Sequence, residues 1–413
     1  MTRRPFVAIV LSLLVLCVAA IASPGDPDTT FGSFGVKNDH VFNKEMHPVV
    51  IAQQADGKLL VAGSMEGEGF PFTLLLLRRY NTDGTVDTGF GLSGFAVAGR
   101  DDYIYGYAND IAVQSDGKIL VSGGFYSFGS SDSRPAVYRF LPDGYPDTAF
   151  GTPDPTFGYQ GRASFPSAYK SGASLVAEKG GKIVTTIRVS SSTRDLVRLT
   201  ANGTFDTTFG FAGFVEPDIG FQGFALNRKG TKIIVHGSVG SYPGVPTLQY
   251  FNIDGTPDTA HGTNGIASLT NTPGCNYVAD AVKRIDVQAD GKIIIGAMCA
   301  SPYAGPYNSI SRLLTNDSLD LGFGASGYAY QTAFETTDPI AVPRVRVAKT
   351  SERITAGGHP PPNSIRRYST SGAFQVGFNV TYVLDFIVQS SDEKLVTLHA
   401  ANSGDIKLRR FMP

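Results

Sequence analysis

The chain has 413 residues, with 35 Lys plus Arg against 36 Asp plus Glu and a formal net charge of −1. That balance excludes the basic footprint that a nucleic-acid partner requires, and beyond residue 22 no apolar run is long enough to cross a bilayer. Forty-eight glycines and no tryptophan suit an all-β chain of short strands and many turns.

Residues 1–22 read as a secretory leader. Arg3 and Arg4 precede the apolar run Phe6 to Ile21, and Ala20-Ile21-Ala22 fits a small-x-small cleavage site. Cleavage after Ala22 leaves Ser23 first and sends the protein to the periplasm or outside the cell. The mature chain opens on the turn Asp28-Thr29-Thr30-Phe31-Gly32, followed by one strand candidate, Ser33 to Lys37.

From there a unit of about sixty residues recurs, and such a period signals an array or a closed ring. Each unit starts with a hairpin, as in Gln54-Ala55-Asp56-Gly57-Lys58, Gln114-Ser115-Asp116-Gly117-Lys118 and Gln288-Ala289-Asp290-Gly291-Lys292. Its Asp-Gly pair suits a two-residue type I′ turn. Seven return strands begin at Lys58, Lys118, Lys182, Lys232, Lys292, Arg353 and Lys394. Seven third strands follow, at 76–80, 137–140, 196–199, 248–251, 310–313, 365–368 and 408–411, most of them carrying arginine. A second turn then closes the unit, as in Asp87-Thr88-Gly89-Phe90-Gly91 and Asp206-Thr207-Thr208-Phe209-Gly210, before a short fourth strand.

Four short antiparallel strands make a propeller blade. The chain begins with a fourth strand and ends on a third, so the N-terminal strand completes the last blade. The prediction is an all-β, seven-bladed β-propeller spanning 23–413 as a single domain, closed by the N-terminal strand. Closure removes the free edges that an open stack would expose, and no polar capping repeat favours an open solenoid. The sixth unit departs most from the pattern. Ser351-Glu352-Arg353 lacks the Asp-Gly pair, and Gln375 to Asn379 keeps little of the second turn beyond Phe378.

The Asp-Thr-x-Phe-Gly turn and the Gln-x-Asp-Gly-Lys hairpin, at this period, resemble the delta-60 repeat family of bacterial exported proteins. The resemblance covers residues 25 to 413. It implies a β-propeller-like fold and no defined activity.

Repetition assigns the recurring residues to structure. The turn Asp accepts backbone N–H groups, the Phe fills the gap between blades, and the third-strand arginines lay their stems along a blade edge. Asn81-Thr82-Asp83-Gly84-Thr85-Val86-Asp87 resembles the opening of a calcium loop but lacks the first acidic ligand and the bidentate Glu. Turn chemistry is therefore preferred, and no cofactor or metal is expected. Asp39, His40 and His47 are the one weak metal grouping.

The tight turns share one face of the ring and the variable connections share the other. Variable loops on a rigid frame usually carry binding. The candidate ligand-binding residues there are Asp101, Asp102, Tyr103, Tyr105, Tyr107, Tyr126 and Arg134, read as loop residues of two adjacent blades. Tyrosines mixed with charge suit a glycan or a protein segment. Cys275 and Cys299 fall on the same face and are paired as a disulfide. No catalytic motif is present. The leading reading is a monomeric, non-enzymatic binding propeller. A hydrolase or lyase over the central channel and a structural display module are the alternatives.

Overall fold

A computed structural model describes residues 22–40, 45–66, 73–98, 104–127, 133–152, 161–166, 168–169, 174–190, 193–240, 245–269, 276–277, 284–301, 305–330, 344–357, 364–380, 383–400 and 405–413. Among the described residues, twenty-nine strands form seven antiparallel sheets, each a blade. The first blade pairs Met46–Gln53, Leu59–Glu66, Thr73–Tyr80 and Phe95–Ala98. The second pairs Ile104–Val113, Ile119–Ser127, Ser133–Phe140 and Arg162–Ser164. The third and fourth begin with the inner strands Leu175–Ala177 and Gly220–Leu226. In the fifth blade the inner strand is split into Asn276–Tyr277 and Arg284–Val287. The sixth, the least regular in sequence, is complete: Arg344–Val347, Ile354–Gly357, Ser364–Tyr368 and Phe374–Asn379.

The seventh blade pairs Val383–Val388, Leu395–Ala400 and Ile406–Phe411, and takes its outer strand, Val36–Asp39, from the N-terminus. The register sets Val36 opposite Arg409 and Asp39 opposite Ile406. The closing strand lies three residues beyond the predicted start at Ser33. Ser33, Phe34 and Gly35 are used instead to turn the chain, with Phe34 at φ 53° and Gly35 at φ 86°.

The hairpins also differ in detail from expectation. The Gly57 N–H donates to the Gln54 carbonyl at 3.0 Å, the Gln54 N–H donates to Lys58 O at 2.9 Å, and Gly57 has φ 87°. This is a three-residue loop with glycine in the left-handed position, not a two-residue type I′ turn. Asp56 keeps a negative φ because its carboxylate caps the Lys58 N–H at 3.1 Å.

The core lies between blades. Seven buried apolar clusters occur, each drawing on two neighbouring blades. The closing cluster joins Phe31, Leu59, Val61 and Tyr80 to Val396, Leu398, Ile406 and Leu408. Second and third strands are buried on both sides, which explains their continuous apolar runs.

Near the axis, carboxylates tie one inner strand to the next. The Leu175 N–H donates to Asp110 at 3.1 Å, the Val347 N–H to Asp286 at 2.7 Å and the Ile51 N–H to Asp385 at 3.2 Å. The last of these spans the closure. Asp385 is fully buried, so deleting its carboxylate strands a buried N–H, which costs about 1–3 kcal/mol. Asp385→Ala is expected to lower the urea midpoint accordingly and Asp385→Asn to recover most of the loss. An unchanged Asp385→Ala midpoint would remove this tie from the account.

Candidate functional site

The two repeated motifs meet at five of the blade junctions. In the first blade the carboxylate of Asp87 accepts from Lys58 Nζ and from Arg79 Nε, both at 2.8 Å. The same guanidinium lies 4.3 Å above the Phe90 ring and donates to the carbonyl of Pro142 in the next blade. Gly91 N–H donates to Asp143 O at 2.7 Å, and the Phe90 ring sits where any Cβ on Gly144 would clash. One turn thus carries lysine, arginine, aspartate and phenylalanine into a clasp on the adjacent blade.

The clasp recurs around the ring. Arg139 pairs with Asp147 at 2.9 Å, Arg198 with Asp206 at 2.8 Å and Arg312 with Asp320 at 2.9 Å, each over the Phe of its own turn. At the closure the partners come from opposite ends of the chain. Arg410 binds Asp28 at 2.7 Å, lies over Phe31 and donates to Thr82 O. The arginines are ion-paired bridges rather than stems resting on an edge. In the sixth blade the aspartate is missing, and Arg367 binds Thr355 and the Glu393 carbonyl instead. Burial pushes its pKa down to about 10 against the pull of the Glu393 charge. In the fourth blade Tyr250 and His261 replace arginine and phenylalanine.

On this same face the channel widens into a depression of about 880 Å³, lined from six blades. Its rim carries the hairpin residues Gln53, Asp56, Gln114 and Asp116, and its wall carries Arg228, Asp286, Arg346 and Lys349. Arg228 is fixed by the Val287 carbonyl at 2.7 Å and by Glu352 at 3.3 Å. Arg346 stands 3.8 Å from Asp385. Burial raises the pKa of Asp286 against the pull of the Val347 N–H, Arg346 and Arg228. The site offers amides and both signs of charge, and among the described residues no aromatic ring lines it. Sequence reasoning assigned its rim, the Gln-x-Asp-Gly-Lys hairpins, to structure, and missed its wall because Arg228, Asp286, Arg346 and Lys349 come from different blades and share no linear motif. The available signal was charge inside apolar strands, at Asp286, Arg346 and Asp385.

Of the residues chosen from sequence, the described ones lie at the opposite end of the second blade. Asp101, Asp102 and Tyr103 are outside the described residues. Tyr105, Tyr107, Tyr126 and Arg134 stand on strands, not loops, because a bulge at Ala108/Asp110 lets the inner strand run on to Ile104. Tyr105 is in register with Tyr126, Tyr107 with Gly124 and Arg134 with Phe125. Alternation therefore puts Tyr107 and Tyr126 on one side of the sheet and Arg134 on the other. The ring of Tyr169 stacks on Phe214 at 6.1 Å, bracing the neighbouring blade.

Cys275 and residues 1–21 lie outside the described residues, and Cys299 faces Tyr277 in register. Asp39 is taken by Arg78 at 2.7 and 3.2 Å and by the Tyr80 hydroxyl at 2.8 Å, while His40 pairs with Asp405. His47 instead groups with Glu45 and Glu66, their ligand atoms within 4.8 Å of one another on the surface. In the segment that resembles the opening of a calcium loop, Asp87 is held as above and Asp83 accepts from Thr85 at 2.7 Å.

A β-propeller family model, described as a domain of unknown function (DUF5122), matches residues 54–90, 114–150 and 181–209. The first two matches run from the hairpin Gln to the turn Phe, and the third ends on the turn Phe, Phe209. They thus take in the segment that builds the clasp. The β-propeller domain of the Trilobed protease from Pyrococcus furiosus, described as having an open velcro topology, is 9% identical with TM-score 0.50, covering 90% of this chain and 94% of that one. Sqt1 from Chaetomium thermophilum is 12% identical with TM-score 0.46, covering 92% of this chain and 100% of that one. No curated protein matches the sequence.

The clasp makes a pH prediction. Burial raises the Asp28 carboxyl, but hydrogen bonds from Thr30 and Lys394 and the charge of Arg410 outweigh it and hold the pKa at about 2, against 3.8. A depressed folded pKa stabilises the fold above the unfolded value and loses that contribution as pH falls through the folded one. Stability is expected to fall between about pH 4 and pH 2, and Asp28→Asn should flatten that slope. Identical slopes in acid titrations followed by circular dichroism would contradict the assignment.

Proposed function

We propose that this chain is an exported, non-enzymatic delta-60-type propeller that binds a polar protein segment at the channel mouth on the hairpin face. The observation that carries this reading is the depression of about 880 Å³, where side chains from six blades converge. Its mixed charges and amides match a peptide backbone with charged side chains. A glycan would ordinarily require an aromatic platform, which this lining lacks. The rigid clasped ring holds these groups in place before binding, limiting the entropy lost on association.

A second reading keeps the glycan on the opposite face, favoured by Tyr107 and Tyr126 lying on one side of the second blade. The two readings separate by mutation. Lys349→Glu reverses an exposed charge on the depression without touching a clasp. It is expected to weaken capture of an acidic peptide from a mixed-charge library by about tenfold, the equivalent of 1.4 kcal/mol, with the melting temperature unchanged. Tyr107→Ala with Tyr126→Ala should leave peptide capture intact. The reverse pattern, in a peptide and glycan array, would transfer recognition to the tyrosine face.

A further inference from the structure

The junction between the fourth and fifth blades breaks the clasp at three positions at once. Tyr250 occupies the arginine position, His261 the phenylalanine position, and Asp317 the place of the glycine that faces the turn in the next blade. The three substitutions touch. The Tyr250 and His261 rings stack at 3.9 Å with planes 10° apart. The Tyr250 hydroxyl donates to Asp317 at 2.5 Å, and His261 Nδ1 lies 3.0 Å from the same carboxylate.

The exchange replaces the arginine, sets His261 between two carboxylates and adds one of them. At each complete clasp one aspartate faces two cations, as Asp206 faces Lys182 and Arg198. Here Asp258 has Lys232 at 2.7 Å, the guanidinium is gone, and Asp317 adds a second carboxylate. Thr315 holds the position whose carbonyl accepts the guanidinium at the other junctions, as Ala201 and Ile253 do. Beside these groups opens a cavity of about 240 Å³, lined by Asp317, His261, Tyr250, the Asp258-paired Lys232 and the aliphatic Ile234, Val287 and Leu314.

We propose that this junction binds a guanidinium group supplied from outside the chain. The clasps elsewhere in the ring show the recognition chemistry: a carboxylate, a carbonyl and an aromatic ring around one guanidinium. Asp317 and Thr315 supply the acceptors, the Tyr250–His261 stack supplies the aromatic face, and the aliphatic wall suits the methylene stem of an arginine-like ligand. The site is separate from the channel mouth and does not rest on the function proposed for it.

The test uses agmatine as the free guanidinium probe and a Gly-Arg-Gly peptide to represent a partner's side chain, titrated calorimetrically into the mature chain. Agmatine is expected to bind, and Asp317→Asn to weaken it at least tenfold. The triple variant Tyr250→Arg, His261→Phe, Asp317→Gly rebuilds the internal clasp and should abolish binding while melting no lower than the parent. Binding of both probes identifies a protein side chain as an acceptable source, and binding of agmatine alone identifies a small molecule. Absence of agmatine binding, or a folded triple variant or Asp317→Asn variant that binds as the parent does, would overturn the proposal.

Discussion

The ring depends on a guanidinium held between a turn aspartate of its own blade and a carbonyl of the next. Arg139 shows the whole arrangement: Asp147 at 2.9 Å, the Phe150 ring 4.2 Å beneath, and Ala201 O across the junction. Buried pairs of this kind add little over an apolar replacement, but losing one partner leaves an uncompensated charge and costs about 3–5 kcal/mol. Their value here is geometric. A planar fork with fixed donor directions sets the angle and spacing between blades, while the apolar clusters supply most of the cohesion.

That arrangement alters the meaning of the two faces. The tight-turn face is built from repeated structural residues, yet it also holds the mouth of the channel. Repetition brings hairpin amides and carboxylates from successive blades into one ring, and unrepeated charges such as Arg228 and Lys349 individualise it. The same logic makes the fourth junction conspicuous, since a departure at three contacting positions replaces one self-contained arrangement with another.

Much of the architecture was legible in the sequence because the period, the glycine turns and the mismatched chain ends are local signals. The closing strand was placed beside the correct partner, and only its register was misjudged, because Phe34 and Gly35 take left-handed conformations that a strand pattern does not announce. The clasp was half legible. Arginine and aspartate lie eight residues apart within a unit, but the accepting carbonyl lies one period away, as from Arg79 to Pro142. Tyr107 and Tyr126 were read as loop residues because their strands lengthen through a bulge and the Gly123-Gly124 pair, which make room for the Tyr107 ring. The channel-wall residues were passed over, since no linear pattern joins Asp286 to Arg228 and Lys349 and the charge inside apolar strands was the one signal.

The most direct test of the clasp is a double-mutant cycle at the closure, where its partners come from residues 28 and 410. Asp28→Asn, Arg410→Met and the double variant would be compared by urea unfolding. The account predicts a coupling of at least about 1.5 kcal/mol, because Asp28→Asn strands the buried Arg410 guanidinium, a cost that is absent once Arg410 is Met, while Lys394 still meets Asp28 in the Arg410→Met variant. Additive losses with no coupling would show that the two ends of the chain are held together without this pair.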